Sequence, residues 1–353
     1  METKDTALGK LFIGIDIHKR SWRIHTATDL FWNQKGLTMP SVPARLKAYV
    51  DKLYPDYEVY TAYEAGSCGY GAHRAFESYG WKSIVFNPAD ISRTGVLQYQ
   101  KTDTLDAALI CRELRDGRLR GITIPDPKRE QYRLLFRRRN DLVKDLRRLK
   151  SRIKGQLLFL GYPIPEQYDK DVWSRAFRKW LGNLEFYHHS GQVSFQDLLD
   201  QYDFVEQRYR SISTELRAYA AKHYRKDYQL LQSIPGIGPI VACGILAEIG
   251  DLRRFNNQKE LVAYIGLMPG MAQSGDGAVR SRGISPRGNR LLRSYFVEAA
   301  WVALRHDPVM QEYWRKHHGK EAKAKLIKIA RKLLCRTYAV IKTEIPYQTG
   351  VVA

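Results

Sequence analysis

The chain has 353 residues, of which 44% are hydrophobic, so it can bury more than one core. A formal net charge of +21 predicts a polyanionic partner or a membrane surface. No apolar run could span a bilayer, the N-terminus lacks a secretory pattern, and the four cysteines form no C-x-x-C pair. We therefore expect a cytoplasmic protein without a membrane partner, whose 22 Tyr and 7 Trp can stack on nucleic-acid bases.

Residues 1–125 predict a mixed α/β domain. "KLFIGIDIH" and "SWRIHTATDL" have the pattern of a strand and its hairpin partner, and "YEVYTAYEA" and "WKSIVFNP" predict two further strands. Helices are expected in "SVPARLKAYVDKLY", opening on Ser41, in "GAHRAFESYG", and from Thr102 to about Leu114. Strands that alternate with helices imply a mixed sheet covered by helices.

Residues 126–228 predict a coiled-coil segment. Apolar residues recur at helical spacing on a long helix from Arg129 to about Leu158: Leu135, Leu142, Leu146, Leu149, Ile153 and Leu157. After a loop at "HHSG", a second long helix is expected from Ser194, as N-cap, to about His223, and could form the return arm. Because a long apolar stripe needs a partner helix, we expect self-association.

The first of these long helices is strongly basic. Its candidate nucleic-acid contacts are Arg137, Arg138, Arg139, Arg147 and Arg148. A solvated coiled-coil face normally mixes charges of both signs, whereas this one has few acids. The alternative is that these arginines only keep the helix in solution.

Residues 229–353 predict a helical domain. "LQSIPGIGPIVACGILAEIG" resembles a helix-hairpin-helix, in which backbone N–H groups around Gly236 and Gly238 would approach a phosphate; the alternative is a tight turn between packed helices. A loop dense in Gly, Ser and Arg follows, "GLMPGMAQSGDGAVRSRGISPRGNRLLRSYF", before two helical segments around "SYFVEAAWVALR" and "KAKLIKIARKLLCRTYAVI".

Four acids stand out in the first domain. Asp16 and Glu64 end two strand patterns, and Asp103 and Asp106 lie nearly one turn apart on a helix. Four converging carboxylates would repel one another unless divalent metal neutralised them, and oxygen ligands suit Mg²⁺ or Mn²⁺. The alternatives are helix-capping acids and solvent-facing acids at strand ends. His18, beside Asp16, fits either a supporting role or an exposed strand end.

"IGIDIHKRSW", "YEAGSCGYG" and "KTDTLDAALI" resemble the three acidic blocks of the DEDD-type insertion-sequence transposases. "LQSIPGIGPIVACGILAEIGD", "FNNQKELVAYIGLMPG" and "SGDGAVRSRGISPRGNRLLR" are similar to parts of that family's C-terminal domain. The resemblance implies a resolvase-like RNase H fold, with Asp16, Glu64, Asp103 and Asp106 as the catalytic, metal-binding tetrad. It also implies DNA strand exchange guided by a bridge RNA that pairs with donor and target DNA.

The family also uses a serine nucleophile in its C-terminal domain. Ser274, in "QSGDG", best matches that position, and Ser281 and Ser285 are the other candidates in the loop. Nearby arginines are expected to hold phosphate oxygens: Arg280, Arg282, Arg287, Arg290 and Arg293.

We therefore expect an RNA-guided DNA recombinase that is a dimer or tetramer, in the cytoplasm of a bacterium or archaeon and associated with the nucleoid. Two alternatives stay open. In a resolvase-like, metal-dependent nuclease, water would attack and Ser274 would not matter. In a non-enzymatic nucleic-acid-binding protein, the charge would suffice and the acids would be dispensable.

Overall fold

The computed structural model describes residues 9–33, 35–90, 103–170, 172–272, 280–285, 287–316 and 321–349. The chain divides into two compact units, Met1–Ile124 and Pro125–Ala353. None of the described helices is long and apolar enough to cross a membrane.

The first unit contains a mixed five-stranded sheet with the order β3-β2-β1-β4-β5. β1 pairs antiparallel with β2 and parallel with β4, β2 pairs antiparallel with β3, and β4 pairs parallel with β5. The strands are β1 (Lys10–Ile17), β2 (Ser21–Thr28), β3 (Leu37–Pro40), β4 (Glu58–Glu64) and β5 (Lys82–Phe86). This mixed sheet is consistent with the RNase H-like fold that the resemblance implies.

Three helices accompany the sheet: α1 (Pro43–Leu53), α2 (Gly71–Ser78) and α3 (Asp103–Arg115). The predicted hairpin of the first two strands is confirmed. The short edge strand β3 was not predicted. Helix α1 begins two residues later than expected, because the Ser41 hydroxyl donates to the carbonyl of Lys19 at 2.7 Å and Val42 occupies the N-cap position.

The two faces of the sheet carry separate cores, because side chains alternate along a strand. Ile13 and Ile15 of β1 belong to the cluster that contains Leu46 of α1 and Phe76 of α2. On the other face, the apolar side chains meet α3: Phe12, Ala27, Ala62, Phe86, Ile110, Cys111 and Leu114. Even-numbered residues of β1 and β4 therefore face α3.

The second unit begins with two long helices that pack against each other, α4 (Pro127–Phe159) and α6 (His189–His223). Helix α5 (Arg175–Gly182) contributes Phe177 and Leu181 to a shared cluster with Leu149, Ile153 and Leu157 of α4. The apolar stripe of α4 is thus buried within its own chain. The stripe therefore gives no reason to expect self-association. Whether α4 and α6 form a coiled coil stays a prediction.

The start of α6 differs from the sequence expectation. The "HHSG" segment is not a loop, since α6 begins at His189, with His188 in the N-cap position and without a side-chain cap. The Gln192 side chain accepts a hydrogen bond from the backbone N–H of Phe186, at 3.1 Å. Ser194 is therefore an interior residue of the helix rather than its cap.

The remaining helices form the C-terminal part of this unit. They are α7 (Arg225–Gln232), α8 (Pro239–Glu248), α9 (Gln258–Ile265), α10 (Arg290–His306), α11 (Pro308–Arg315) and α12 (Ala322–Thr343). A short antiparallel pair, β6 (Pro269–Ala272) and β7 (Arg280–Ile284), lies in the segment expected to be a loop. Tyr132 and Phe136 of α4 and Leu216 of α6 share one hydrophobic core with these helices, so residues 126–228 and 229–353 are joined by a common interior.

The Gly-x-Gly turn joins α7 to α8. Gly236 has φ +93°, and a Cβ placed there would lie 2.4 Å from the carbonyl oxygen of Ala299 in α10. Gly238 is the N-cap residue of α8 with φ −74°, and a Cβ there would meet no atom within 4 Å. Packing against α10 therefore explains Gly236 without a phosphate, whereas the space around Gly238 leaves its predicted backbone contact open.

These two glycines give a matched pair of stability predictions. Gly236→Ala should lower the free energy of unfolding by about 2 kcal/mol or more, because a left-handed backbone and a backbone overlap are both unfavourable. Gly238→Ala should cost less than about 1 kcal/mol, since an alanine N-cap is only moderately worse than glycine. Urea denaturation of the two variants would check this, and equal losses would contradict the packing role of Gly236.

Candidate active site and nucleic-acid interface

Two of the predicted acids come together at one edge of the sheet. Ile15 of β1 is paired with Tyr63 of β4 in parallel register, so Asp16 and Glu64 follow at equivalent positions on neighbouring strands. Both are even-numbered residues on the α3 face, and both are partly buried. The fold therefore gives these two carboxylates a common edge and a common face.

Helix α3 brings its own acids toward this edge through a close backbone contact. A Cβ on Gly14 would lie 2.3 Å from both the carbonyl oxygen of Ala107 and the amide nitrogen of Cys111. Gly14 precedes Asp16 by two residues on the same face, and Ala107 directly follows Asp106. The absence of a side chain at Gly14 thus lets the start of α3 approach the strand end that carries Asp16.

The orientation of α3 follows from a second contact. The Cys111 thiol lies 3.3 Å from the carbonyl oxygen of Phe12, which is further back along β1. Helix α3 therefore runs opposite to the strand, and its first turn points to the end of the sheet that carries Asp16 and Glu64, which we call the acidic edge. Burial raises the pKa of the Cys111 thiol to about 12, so this cysteine is a packing group and not a nucleophile.

The donor set suits a hard divalent ion, because it consists of carboxylate oxygens. Asp106 is partly buried on the first turns of α3. Asp103 is the first residue of that helix, but its side chain lies outside the described residues. Among the side chains that the structure does describe, no group of three or more His, Cys, Asp or Glu is close enough to hold a metal ion.

Basic groups border the acids, and only one of them was named from sequence. His18 is exposed, with its Nε2 3.2 Å from the Asp16 carboxylate. Arg23 is the cross-strand partner of Asp16 on β2 and donates to the Thr38 hydroxyl at 2.7 Å. Burial, with smaller contributions from Arg112 and Arg23, lowers the pKa of His25. Arg23 could have been found from the hairpin register, since antiparallel partners share a face.

The arginines of α4 have different environments. Arg137 makes two contacts with the carboxylate of Glu248, at 2.7 and 3.0 Å, and Glu248 is only 2% exposed. Arg139 is buried and donates to the hydroxyls of Tyr209 and Tyr295 at 2.9 and 2.8 Å. Arg139 therefore has a packing role instead of the nucleic-acid contact that the sequence predicted. We leave it out of the proposed nucleic-acid surface.

The other arginines of the predicted surface are exposed, namely Arg138, Arg147 and Arg148, and Arg137 is exposed as well although it is paired with Glu248. Arg148 contacts Asp145 at 3.1 Å, one turn earlier on the same helix. An exposed pair of this kind contributes little and can be exchanged for a phosphate contact.

The segment that carries the candidate serines is anchored at its base. Ser285 accepts a hydrogen bond from the Arg293 guanidinium at its carbonyl, 2.6 Å away, and its hydroxyl accepts from the backbone N–H of Arg287 at 3.2 Å. Ser281 lies in β7, opposite Met271. Ser274 falls between β6 and β7, outside the described residues.

The arginines near these serines are described only in part. Arg287 and Arg290 are exposed. Arg280 and Arg282 belong to β7, but their side chains lie outside the described residues. Arg293 also donates to the carbonyl of Gly266 at 3.0 Å, so it stabilises the base of the β6–β7 pair from within.

Comparison with known proteins gives two family matches. Residues 13–161 match the DEDD transposase model of the IS110 group, and residues 228–315 match the model described as "Transposase IS116/IS110/IS902 family". The first match includes Asp16, Glu64, Asp103 and Asp106, and the second includes Ser274.

Individual relatives agree with these matches. A protein of Sinorhizobium fredii named as a transposase is 29% identical over 299 residues, which cover 82% of this chain and 71% of the relative. The transposase for insertion sequence element IS1111A of Coxiella burnetii is 27% identical over 250 residues, covering 68% of this chain and 65% of the relative. A pilin gene-inverting protein of Moraxella bovis is 37% identical over 125 residues, covering 35% and 39%.

Three findings agree with one another: the order of the two family matches, the mixed sheet with acids at one edge, and the helical C-terminal unit. The chain belongs to the DEDD-type insertion-sequence transposases of the IS110 group, enzymes that catalyse DNA strand transfer.

Proposed function

We propose that this transposase exchanges DNA strands through a serine nucleophile, with divalent metal at the acidic edge and a bridge RNA as guide. The observation that supports this best is the shared edge of Asp16 and Glu64, with the start of α3 held against the same face at Gly14. Asp16, Glu64, Asp103 and Asp106 are the proposed ligands of Mg²⁺ or Mn²⁺. The metal, when bound, would polarise the scissile phosphate and stabilise the leaving oxygen.

Ser274 is the proposed nucleophile. Its Oγ forms a bond to phosphorus, its proton passes to a carboxylate of the acidic edge, and the bond from phosphorus to the leaving DNA oxygen breaks as that oxygen takes up a proton. Rejoining is the reverse reaction with the hydroxyl of a new strand, so no ATP is consumed. The serine and the acids must therefore reach the same phosphate during the reaction, within one chain or across an oligomer.

The arginine-rich segment that follows Ser274 would hold the phosphate oxygens. Guanidinium groups make paired, charge-assisted hydrogen bonds to phosphate, which suits them to this task. The proposed contacts are Arg280, Arg282, Arg287 and Arg290. The anchored base at Ser285 and Arg293 supports this assignment, because it fixes where the segment leaves the helical unit.

Guide RNA and DNA would bind to the exposed basic surface of α4, at Arg137, Arg138, Arg147 and Arg148, with further backbone contact at Gly238. Contacts of this kind are made to phosphates and carry no sequence information, so base pairing of the guide would select donor and target DNA. A dimer or tetramer remains part of this proposal.

The carboxylates should be needed for cleavage but not for binding. Asp106→Asn should abolish strand cleavage, because it removes a negative ligand charge, and should leave nucleic-acid affinity nearly unchanged, since affinity comes from the basic surface. Asp116→Asn, an exposed acid just beyond α3 that contacts Arg118, is the matched control. Native cleavage by Asp106→Asn in Mg²⁺ or Mn²⁺ would contradict the proposed tetrad.

Ser274→Ala should lose both cleavage and rejoining while keeping nucleic-acid binding. The unmutated protein, incubated with labelled DNA and Mg²⁺ and then denatured, should carry the label as a phosphoserine adduct. Ser281→Ala and Ser285→Ala are the controls from the same segment. If Ser274→Ala cuts at the native rate and the unmutated protein forms no adduct, water is the nucleophile and the enzyme acts as a nuclease.

Replacement of Arg138, Arg147 and Arg148 by Gln should weaken RNA binding and flatten its salt dependence by about one unit of slope per lost phosphate contact. The control removes the same charge from α1 through Arg45→Gln, Lys47→Gln and Lys52→Gln. Titrations at several salt concentrations would check this. If both triple variants behave alike, the arginines of α4 are only a solvated face.

A further inference from the structure

A cleft lies at the corner between α10 and α11, on the surface of the C-terminal unit. It has a volume of about 400 Å³, which is in the range of small-molecule sites. It is lined by Trp301, Leu304, Arg305, Gln311, Trp314 and Arg315. None of these residues belongs to the acidic edge or to the segment that carries the candidate serines.

Two tryptophans form its aromatic walls. Trp301 is 43% exposed, although tryptophan is usually well buried, so its ring is available for contact. The centroids of the Trp301 and Trp314 rings are 6.0 Å apart and their planes are inclined at 50°. The two rings therefore contact each other as a tilted aromatic pair, and the exposed part of the Trp301 ring is the surface on which a further planar group can stack.

The charge of the cleft is positive. Arg305 and Arg315 line it, and the ammonium group of Lys325 lies 4.3 Å from the centre of the Trp314 ring. No acid is present among the described lining residues. Aromatic faces bordered by cations suit a planar base on a phosphate backbone.

The corner is rigidly built. Asp307, which is 1% exposed, caps α11 by accepting from the backbone N–H of Val309 at 3.0 Å. Its carboxylate also contacts the Arg336 guanidinium at 2.5 Å and the Tyr347 hydroxyl at 2.8 Å. These contacts fix the angle between α10 and α11, so the two walls are held in place before a ligand arrives.

We infer that this cleft holds an unpaired base of single-stranded RNA stacked on the exposed ring of Trp301 beside Trp314, with Arg305 and Arg315 on the adjoining phosphates. The inference rests on the proposed function in one respect: until the guide pairs with the DNA, that DNA is a duplex whose bases are stacked inside, whereas the guide already presents unpaired bases. Stacking on aromatic rings tolerates any base, so the cleft would hold the RNA without selecting its sequence.

The test compares a short fluorescent oligouridine with the same ribose-phosphate chain lacking bases, by anisotropy on the full-length protein. Both chains make phosphate contacts, but only the first can stack. Trp301→Ala should reduce the preference for oligouridine over the abasic chain by about tenfold, which is within the range measured for one stacked base. Trp301→Phe, which keeps an aromatic ring, should retain most of that preference.

Val302→Ala is the matched control, because Val302 is the next residue of the same helix and is 42% exposed but does not line the cleft. It should leave the preference unchanged. A photo-crosslinked 4-thiouridine oligomer should modify the peptide that contains Trp301 or the one that contains Trp314. An unchanged preference in Trp301→Ala, or crosslinks only elsewhere, would overturn the inference.

Two further outcomes would also overturn it. Oligothymidine that binds as well as oligouridine, with the same dependence on Trp301, would reject the assignment to RNA. A Trp301→Ala variant that changes only its sedimentation would identify the cleft as a protein interface. Neither result touches the Asp106 and Ser274 variants, whose effects are measured on DNA cleavage, so the two proposals fail separately.

Discussion

The buried carboxylate of Glu248 connects three helices of the second unit, α4, α8 and α10. It ends α8, receives two contacts from Arg137 of α4, and accepts from the Asn289 side chain at the start of α10 at 3.0 Å. Arg133 lies 3.8 Å from the same carboxylate, so loss of Glu248 would leave two arginines and an asparagine without their shared partner. Asn289 also caps α10, directly after the arginine-rich segment. The position of that segment therefore depends on an ion pair that takes no part in chemistry.

Sequence patterns predicted most of the fold where local periodicity decides it. Four of the five sheet strands and the two long helices were expected, since alternation and the 3.6-residue repeat are local properties. Errors arose where distant contacts decide. Ser41 and Ser194 both look like helix caps, but Ser41 bonds to Lys19 and Ser194 lies inside α6. β3 and β6 have only four residues each, too few to show a period, and β7 lies in a segment rich in Gly, Ser and Arg.

The site was predictable in part. Asp16 and Glu64 could be placed at strand ends, and the parallel register of β1 and β4 puts them on one edge. The sequence did not reveal why α3 can lie so close to β1. The contact at Gly14 is between backbones, so it produces no pattern of apolar residues in the sequence. Glu248 was also missed. A lone acid in an apolar helix gives no indication of its partners, which lie more than 40 residues away in both directions.

The three consecutive arginines of α4 show how far formal charge departs from the charge that a polyanion meets. Successive residues of a helix point about 100° apart. Accordingly, Arg137 faces Glu248, Arg138 faces solvent and Arg139 enters the interior. Arg139 is therefore withdrawn from a phosphate backbone, whereas Arg138 is exposed and Arg137, whose side chain is 52% exposed, shares its charge with Glu248. The net charge of +21 is therefore a poor measure of how many phosphates this chain can contact, because that number depends on which cationic side chains are exposed. A relative that lost Glu248 would gain a formal charge, and with it a weaker fold rather than a tighter grip on nucleic acid.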